Sequence, residues 1–503
     1  MPTVPADVPE ILETAASEAD IPAAARAGIA MWLPRLLNAV ANPRPPRAVV
    51  GDDLGLTVDV LGGGKEIGGS CVLLCAGGTR ILVDAGARPN GNDERSLAPR
   101  RISRALDGPI DAIVVTHAHH DHAGWVPVLA REYPGARLIA TAATRDLLRI
   151  MWQDAAKILE AQAATPLTSV WSGGRSAPFT QQDAEKAVRR IEPVEFGQRF
   201  AVGAFGVELF PAGHIVGAAG VVVHAGARRV VVSGDVSTTP QATVGGIVLP
   251  DSAMGTDLLL LESTYAGVKK FTPRGRAVAE FVRKVGDVVS GGGRVLVPAF
   301  ALGRAQEIAL VLGEHLPDVE VLVDGLARSV STAYEEHESP DGTPIRIFGG
   351  NVRALQDRRH ELDAFTNGVI VSTSGMLTSG PAVEWADRIL RERRSALMIV
   401  GYQDEESPGR GLLDLAAKGG GEFDLARLDG TVTSIPVACH VDSYRLGAHA
   451  SAEELVAITR QAGAAEVMLV HGERDRQREF GERLALRHQE TADADDMWCP
   501  KAP

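Results

Sequence analysis

The chain has little of two features on which whole classes of protein depend. Four cysteines among 503 residues are too few for a disulfide scaffold, and they lack the paired CxxC spacing of a structural zinc site. Net positive charge is also missing, because 51 Lys and Arg stand against 64 Asp and Glu and the net charge is −13. This counts against a protein that coats nucleic acid, because Lys and Arg supply most of the non-specific affinity for phosphate. It does not exclude an enzyme whose positive charge is concentrated in bound metal.

Long hydrophobic runs are missing as well. No uninterrupted apolar stretch reaches the roughly 20 residues that a membrane-spanning helix needs. The N-terminus shows no basic region followed by an apolar stretch, so we expect no secretory signal, no membrane association and a cytoplasmic location. A chain of 503 residues exceeds the size at which one core keeps growing, which predicts several domains or one domain interrupted by another.

The first half of the chain changes from helical to strand-like patterns. Residues 1–50 have the Ala-rich spacing of helices and end in a Pro-rich run, which predicts a helical N-terminal extension. From Leu56 onwards, short β-branched runs alternate with glycines, and each run predicts a strand. The run from Gly220 to Val232 is among these. The strand-rich region ends at Glu262, so we predict a first domain part over residues 51–264.

The second half begins with an alternation of helix and buried strand, which predicts a parallel α/β domain over residues 265–436. Strand-like runs return at Thr431 to Ala438 and at Glu466 to Val470, before a charged tail that we expect to be helical. Residues 437–503 are therefore predicted to complete the domain that begins at residue 51. This organisation is one β-rich domain interrupted by an α/β insertion.

Three imidazoles and a carboxylate stand at fixed spacing in one tight turn, which also contains His120 and directly follows an apolar strand that ends at Val115. They form the pattern H-x-H-x-D-H, with His117, His119, Asp121 and His122. Burying so many titratable groups at a strand end is costly unless something coordinates them, and imidazole nitrogen with carboxylate oxygen is a ligand set that zinc prefers. A solvated His-rich loop is the alternative. The spacing lets the first two residues face one metal and the last two face another.

One loop cannot fill two metal positions, so further ligands must come from other strand ends. His214, Asp235 and His471 each lie where an apolar strand meets a glycine. Each alone is more often structural, but their recurrence after a complete H-x-H-x-D-H favours a common site. Asp84 is another carboxylate at a strand end. We assign it the role of holding a ligand imidazole in the correct tautomer.

These residues, in this order, resemble the metallo-β-lactamase superfamily. Further motifs resemble its β-CASP nucleases, the group that includes RNase J and the nuclease subunit of the pre-mRNA cleavage and polyadenylation factor: Glu262–Tyr265, Gly447–Ser451 and Val470–Glu473. The resemblance covers about residues 56–480 and implies an α/β protein, an αββα sandwich with an inserted parallel β-CASP domain. One departure is that Gly447 and Ser451 stand where the family commonly has Ser and Asp.

The resemblance also implies a ligand set and a mechanism. Two zinc ions, for which manganese is an alternative, would activate a hydroxide held between them and directed at a phosphodiester. His449 would donate a proton to the leaving oxygen, and Glu262 would keep that imidazole protonated. The implied zinc ligands are His117, His119 and His214 for one ion, Asp121, His122 and His471 for the other, and Asp235 between them.

The resemblance favours RNA as the substrate through His471, because RNA-processing members of the family have His at this position and the DNA-repair branch typically has Val. We expect single-stranded RNA and leave open a homodimer and whether cleavage is internal or from an end. A DNA nuclease, another hydrolase such as an esterase, and a non-catalytic scaffold are the alternatives. Ser374, Gly375 and Arg304 are candidate phosphate contacts, with structural roles as their alternative.

Overall fold

The computed structural model describes residues 54–89, 94–164, 177–268, 272–428, 430–485 and 490–500. The predicted helical extension over residues 1–50 lies outside this part of the chain. Among the described residues, none of the helices combines the length and the apolar character that crossing a membrane requires.

Six strands form the first sheet, in the order β1-β2-β3-β4-β5-β6. The first three strands pair antiparallel, and β3 to β6 pair parallel. Their bounds are β1 (Thr57–Gly62), β2 (Cys71–Ala76), β3 (Thr79–Val83), β4 (Ala112–Val114), β5 (Arg137–Ala140) and β6 (Ile191–Pro193).

Seven strands form the second sheet, in the order β21-β20-β11-β10-β9-β8-β7. The run predicted from Gly220 to Val232 is two antiparallel strands, because Gly226 at φ 60° begins a turn between them. The bounds are β7 (Arg199–Val202), β8 (Phe205–Pro211), β9 (Ala219–Ala225), β10 (Arg228–Val232), β11 (Leu258–Glu262), β20 (Glu466–Val470) and β21 (Glu490–Ala492).

The two sheets pack face to face. Side chains alternate between the two faces of a strand, and those on the inner faces, such as Val58, Ile81, Leu209 and Leu260, form one buried core. Helices cover both outer faces, which completes an αββα sandwich. These helices are α1 (Glu94–Leu97), α2 (His120–Ala123), α3 (Val126–Glu132), α4 (Ala142–Ala164) and α5 (Gln181–Arg189), with α12 (Ala452–Ala462) and α13 (Arg474–Ala485) after the insertion.

The insertion is built on a third sheet of six parallel strands, in the order β14-β13-β15-β12-β16-β19. Helices cover both of its faces, so its four central strands β12, β13, β15 and β16 are buried at every position. The elements are α6 (Arg274–Ser290), β12 (Arg294–Pro298), α7 (Arg304–His315), β13 (Val321–Asp324), α8 (Ala327–Tyr334), β14 (Val352–Ala354), α9 (Arg358–Ala364), β15 (Gly368–Ser372), α10 (Pro381–Ile389), β16 (Ala396–Ile399), α11 (Pro408–Ala417) and β19 (His440–Ser443).

The end of the insertion carries a hairpin. The run predicted as strand-like at Thr431 to Ala438 is β18 (Val432–Pro436), which forms this hairpin with β17 (Glu422–Ala426). The hairpin packs on the insertion through Leu425 and Ile435. After it, β19 pairs with β16 in the third sheet, and the domain boundary at residue 436 stays a prediction.

Candidate metal centre

The H-x-H-x-D-H turn is held in place by the loop that follows β3. The turn connects strand β4 to the short helix α2. His117 and His119 precede the helix, and Asp121 and His122 lie in it. Backbone N–H groups of the β3 loop donate to the carbonyls of α2, including Ala85 to His122 at 2.9 Å. The two segments approach so closely that a Cβ atom at position 86 would lie 1.7 Å from the Asp121 carbonyl oxygen, so only glycine fits there.

Four ligand atoms meet in a first cluster. Nε2 of His117 and Nε2 of His214 each lie 3.1 Å from Nδ1 of His119. The Oδ2 atom of Asp235 lies 3.6 Å from His117 Nε2 and 3.7 Å from His214 Nε2. Since all four atoms lie within 4.8 Å of one another, one cation can contact them all.

A second cluster lies beside the first. Nε2 of His471 lies 3.1 Å from Oδ2 of Asp121, and Nε2 of His122 lies 3.2 Å from Oδ1 of Asp235. The ligand atoms of Asp121, His122 and His471 are also within 4.8 Å of one another. Asp235 therefore faces both clusters, with one oxygen turned to each. The structure brings together all seven side chains that were predicted as ligands.

Side chains of the sandwich hold the outer nitrogens of the second cluster. The Nδ1 atom of His122 lies 2.7 Å from Asp84 Oδ2, and that of His471 lies 3.0 Å from Thr264 Oγ1. In the first cluster, Thr116 Oγ1 lies 3.1 Å from His117 Nδ1 in the same way. Such partners fix the ring orientation and leave the other nitrogen for a metal.

Two backbone carbonyls hold the remaining outer nitrogens of the first cluster. His214 Nδ1 lies 2.9 Å from the carbonyl oxygen of Ala448, and His119 Nε2 lies 3.1 Å from that of Leu302. Leu302 belongs to the insertion, in the loop after β12. The carboxyl edge of the inserted sheet therefore reaches the cluster, although none of the described residues of the insertion is among its candidate ligands.

Asp84 adopts an unusual backbone conformation to hold His122. Its φ is 62°, in the left-handed region that non-glycine residues seldom occupy. The carboxylate accepts hydrogen bonds from the backbone N–H and the hydroxyl of Thr116 at 2.7 and 2.8 Å. These bonds hold a conformation that costs on the order of 1–3 kcal/mol, and such residues cluster at functional sites. The role predicted for Asp84 matches this contact.

The chemistry of the buried groups fits divalent cations. Burial lowers the pKa of His117 and of His214 well below the usual range, which favours the neutral imidazole that binds metal. Burial opposes the charge on Asp235, but the neighbouring His122 and His471 hold the pKa of that carboxyl well below its ordinary value. Its Oδ1 atom is buried without a hydrogen-bond partner. A cation would satisfy an oxygen that is otherwise costly to bury.

His449 lies at the rim of the clusters, beside Glu262. Its Nδ1 atom is 2.9 Å from Oε1 of Glu262, which is fully buried and also accepts from the backbone N–H groups of Val236 and Thr264. Burial alone would lower the pKa of His449, but the Glu262 carboxylate raises it to about 9. Ser451, at one of the departures from the family motif, instead caps helix α12 through its hydroxyl.

Comparisons with known proteins agree with this arrangement. Residues 64–264 match the metallo-β-lactamase superfamily, residues 305–412 match the β-CASP domain, and residues 434–494 match the Zn-dependent metallo-hydrolase RNA specificity domain. Ribonuclease TTHA0252 of Thermus thermophilus is 31% identical, over 86% of this chain and 96% of its own. The chain belongs to the β-CASP family of the metallo-β-lactamase superfamily. The predicted family and fold class are therefore confirmed, and family and clusters together indicate binding of divalent metal.

Other relatives extend the comparison of this β-CASP protein. Transcription termination factor FttA of Methanocaldococcus jannaschii is 30% identical over 87% of this chain and 70% of its own. Probable RNase MJ4 of the same organism is 26% identical over 82% of this chain and 92% of its own. A solved structure of a protein of unknown function from Enterococcus faecalis V583 shares the fold, with a TM-score of 0.54, 14% identity, and coverage of 88% of this chain and 99% of that one.

The residues predicted to contact phosphate lie elsewhere than in the clusters. Arg304 is buried, and its guanidinium donates to the carbonyl of Leu446 at 2.5 Å and to the side-chain oxygen of Gln241. These contacts favour the structural alternative, with partners other than the expected Asp or Glu. Ser374 and Gly375 lie in the turn after β15, where the Ser374 hydroxyl accepts from the backbone N–H of Thr378 at 3.2 Å. Phosphate binding by this turn stays a prediction.

Several contributors to the β-CASP site were not predicted. The carbonyls of Leu302 and Ala448 belong to the backbone, which carries no signal in the sequence. Gln241 donates to the carbonyls of Gly213 and His214, both at 3.0 Å, yet it follows no strand end or motif. Thr264 lies inside the motif that begins at Glu262, and this position was the one available signal.

Proposed function

We propose that this chain is a metal-dependent ribonuclease that hydrolyses phosphodiester bonds. The observation that carries the proposal is the meeting of seven ligand side chains from separate segments in two adjoining clusters. The match to the RNA specificity domain over residues 434–494 spans His449 and His471. Ribonuclease TTHA0252 and Probable RNase MJ4, named for action on RNA, support this substrate class.

Each cluster would hold one zinc ion, with Asp235 shared between them. The neutral imidazoles of His117, His119 and His214 suit the first position, and Asp121 adds a negative charge to the second beside His122 and His471. When bound, two divalent cations supply a lowered pKa for water and stabilisation of the charge that develops at phosphorus. Manganese is the alternative metal.

His449 is the group that would protonate the leaving oxygen. Glu262 holds its Nδ1 atom at 2.9 Å, which leaves the N–H at Nε2 free to face the substrate. The His449 side chain keeps 16% of its surface exposed, whereas that of Glu262 keeps 1%. The imidazole is thus within reach of a bound substrate while its partner stays buried, which is the arrangement that a general acid needs.

The inserted sheet would form the other wall of the substrate cleft. Its carboxyl edge contacts the sandwich at His119 through Leu302, and again where the Tyr402 hydroxyl lies 3.4 Å from Glu473 Oε1. A cleft wall formed by a whole inserted domain suits a polymeric substrate better than a small ester. The preference for single strands, a homodimer, and the choice between internal and terminal cleavage stay predictions.

The test compares end-labelled single-stranded RNA with DNA of the same sequence. We expect RNA cleavage by protein reconstituted with zinc, no cleavage after treatment with a chelator, and recovery on addition of zinc or manganese. His440→Ala, a change at an exposed histidine on β19, is the matched control for His449→Ala. Faster cleavage of DNA would favour the DNA nuclease. If the protein cleaves neither substrate and binds fewer than two zinc ions per chain, the result would indicate a non-catalytic scaffold.

A further inference from the structure

The first metal cluster differs from the second in what surrounds its ligands. The second cluster depends on Asp84 and Thr264, both of which belong to the sandwich. In the first cluster, His119 and His214 contact carbonyls of Leu302 and Ala448. Leu302 lies in the insertion, and Ala448 lies in the segment that leads out of the inserted sheet after β19. The support for the first cluster therefore comes partly from outside the sandwich.

Arg304 joins the two segments that hold His214. One arm of its guanidinium donates to the carbonyl of Leu446, two residues before Ala448. The other arm donates to Gln241, whose amide in turn donates to the carbonyls of Gly213 and His214, both at 3.0 Å. A single buried side chain of the insertion thus reaches both sides of this ligand.

The geometry of this link is specific to arginine. A guanidinium presents planar donors in a fixed fork, whereas a lysine ammonium is a point charge on a flexible stem. Lysine at position 304 would keep the charge beside the buried Glu307 but could not reach Leu446 and Gln241 together with the same geometry. Arg304 touches no ligand atom of the clusters, so its influence on them must pass through the backbone around His214.

We propose that Arg304 is a positioning residue through which the inserted domain sets the affinity of the first metal position, while the second position is held within the sandwich. The inference rests on the proposed two-metal function. In this proposal the insertion contributes to metal affinity and also forms a wall of the substrate cleft. Loss of the link should weaken the first position selectively. Direct partners of ligand imidazoles typically contribute about 10- to 100-fold to metal affinity, and this is the upper bound for Arg304 because it acts through the backbone.

The experiment measures zinc affinity in two parent variants that each isolate one position. His471→Ala impairs the second position and leaves the first for measurement, and His214→Ala does the reverse. Arg304→Lys is added to each parent, and zinc binding is followed by competition with a chromophoric chelator. We expect a loss of zinc affinity of about 10-fold, and at most about 100-fold, in the His471→Ala parent and no change in the His214→Ala parent.

Arg294→Lys is the matched control. Arg294 and Arg304 are both 6% exposed and both lie in the insertion, but Arg294 donates to Glu392 and to the Phe365 carbonyl, away from the clusters. Both substitutions disturb a buried guanidinium. Thermal unfolding of the two variants measures that shared structural cost, and only Arg304→Lys should change zinc affinity.

Gln241→Glu is the second variant, for use if Arg304→Lys does not fold. It keeps an acceptor for Arg304 but removes the donors to Gly213 and His214, so it should weaken the same position. Equal zinc affinity for the Arg304 and Arg294 variants, or an equal loss in both parents, would overturn the proposal. Fewer than two zinc ions in the unmodified chain would instead contradict the proposed function itself.

Discussion

The sandwich and the inserted sheet both present strand ends to the same place, yet they contribute different things there. The sandwich and its returning strand β20 supply all seven ligand side chains. The insertion supplies a carbonyl at Leu302 and the guanidinium of Arg304, neither of which belongs to a cluster. The difference shows that the chemistry and the shape of this site are built by separate parts of the chain, which substitutions can test one at a time.

The largest expected effect comes from the ligand that the sandwich places between the clusters. Asp235→Ala removes an oxygen from each of the two positions. Each lost Lewis acid forfeits several kcal/mol of transition-state stabilisation, so the two together should cost more than about 10⁴-fold in rate. We expect nearly complete loss of RNA cleavage and of bound zinc, with Asp442→Ala on the exposed part of β19 as the control. Unchanged turnover after zinc reconstitution would refute the shared ligand.

The next effect separates chemistry from metal binding within the sandwich. His449→Ala should keep both metals and slow cleavage by about 10²- to 10⁴-fold, the usual contribution of a general acid. Metal analysis and single-turnover cleavage are measured on the same preparation, with His440→Ala as the histidine control. Loss of zinc from the His449 variant would make that imidazole a ligand and end its assignment as the acid.

A smaller effect is expected at Asp84, which contacts His122 of the second cluster directly and reaches His117 of the first only through the Thr116 hydroxyl. Asp84→Asn weakens the contact with His122, and asparagine tolerates the left-handed backbone at φ 62°. Zinc affinity of the second position should fall by about 10- to 100-fold, while that of the first position should fall less. A loss shared equally by both positions would show that the two clusters are not separately supported.

The smallest effect should come from the outer surface of the insertion. Arg283 pairs with Asp287 on helix α6 at 2.7 Å, and both side chains are more than half exposed. Arg283→Ala should change the free energy of unfolding by no more than about 0.5 kcal/mol and leave RNA cleavage unchanged. A clear loss of cleavage, with stability intact, would place a substrate contact on this helix.

The meeting of the candidate ligands could be predicted because zinc favours imidazole and carboxylate donors and the candidate side chains here lie close to strand ends. The spacing of His117 to His122 and the strand ends at His214, Asp235 and His471 were sufficient. The parallel insertion could also be predicted, since its four central strands are buried on both faces and read as short apolar runs. The turn at Gly226 was missed because apolar runs continue on both sides of it.

The support of the site could not be predicted in the same way. Leu302 and Ala448 act through carbonyl oxygens that every residue has. Arg304 was expected near phosphate because arginine favours it, but the fold places it beside Leu446 and Gln241. Both contacts join residues far apart in sequence, and only the packing of the insertion against the sandwich brings them together.

The central claim is that seven side chains hold two divalent ions at one rim of the sandwich. Anomalous diffraction at the zinc absorption edge from crystals of the zinc-loaded protein tests it most directly. We expect two peaks about 3.5 to 4 Å apart, one beside His117, His119 and His214 and the other beside Asp121, His122 and His471, with Asp235 between them. A single peak, or peaks away from these residues, would contradict the account.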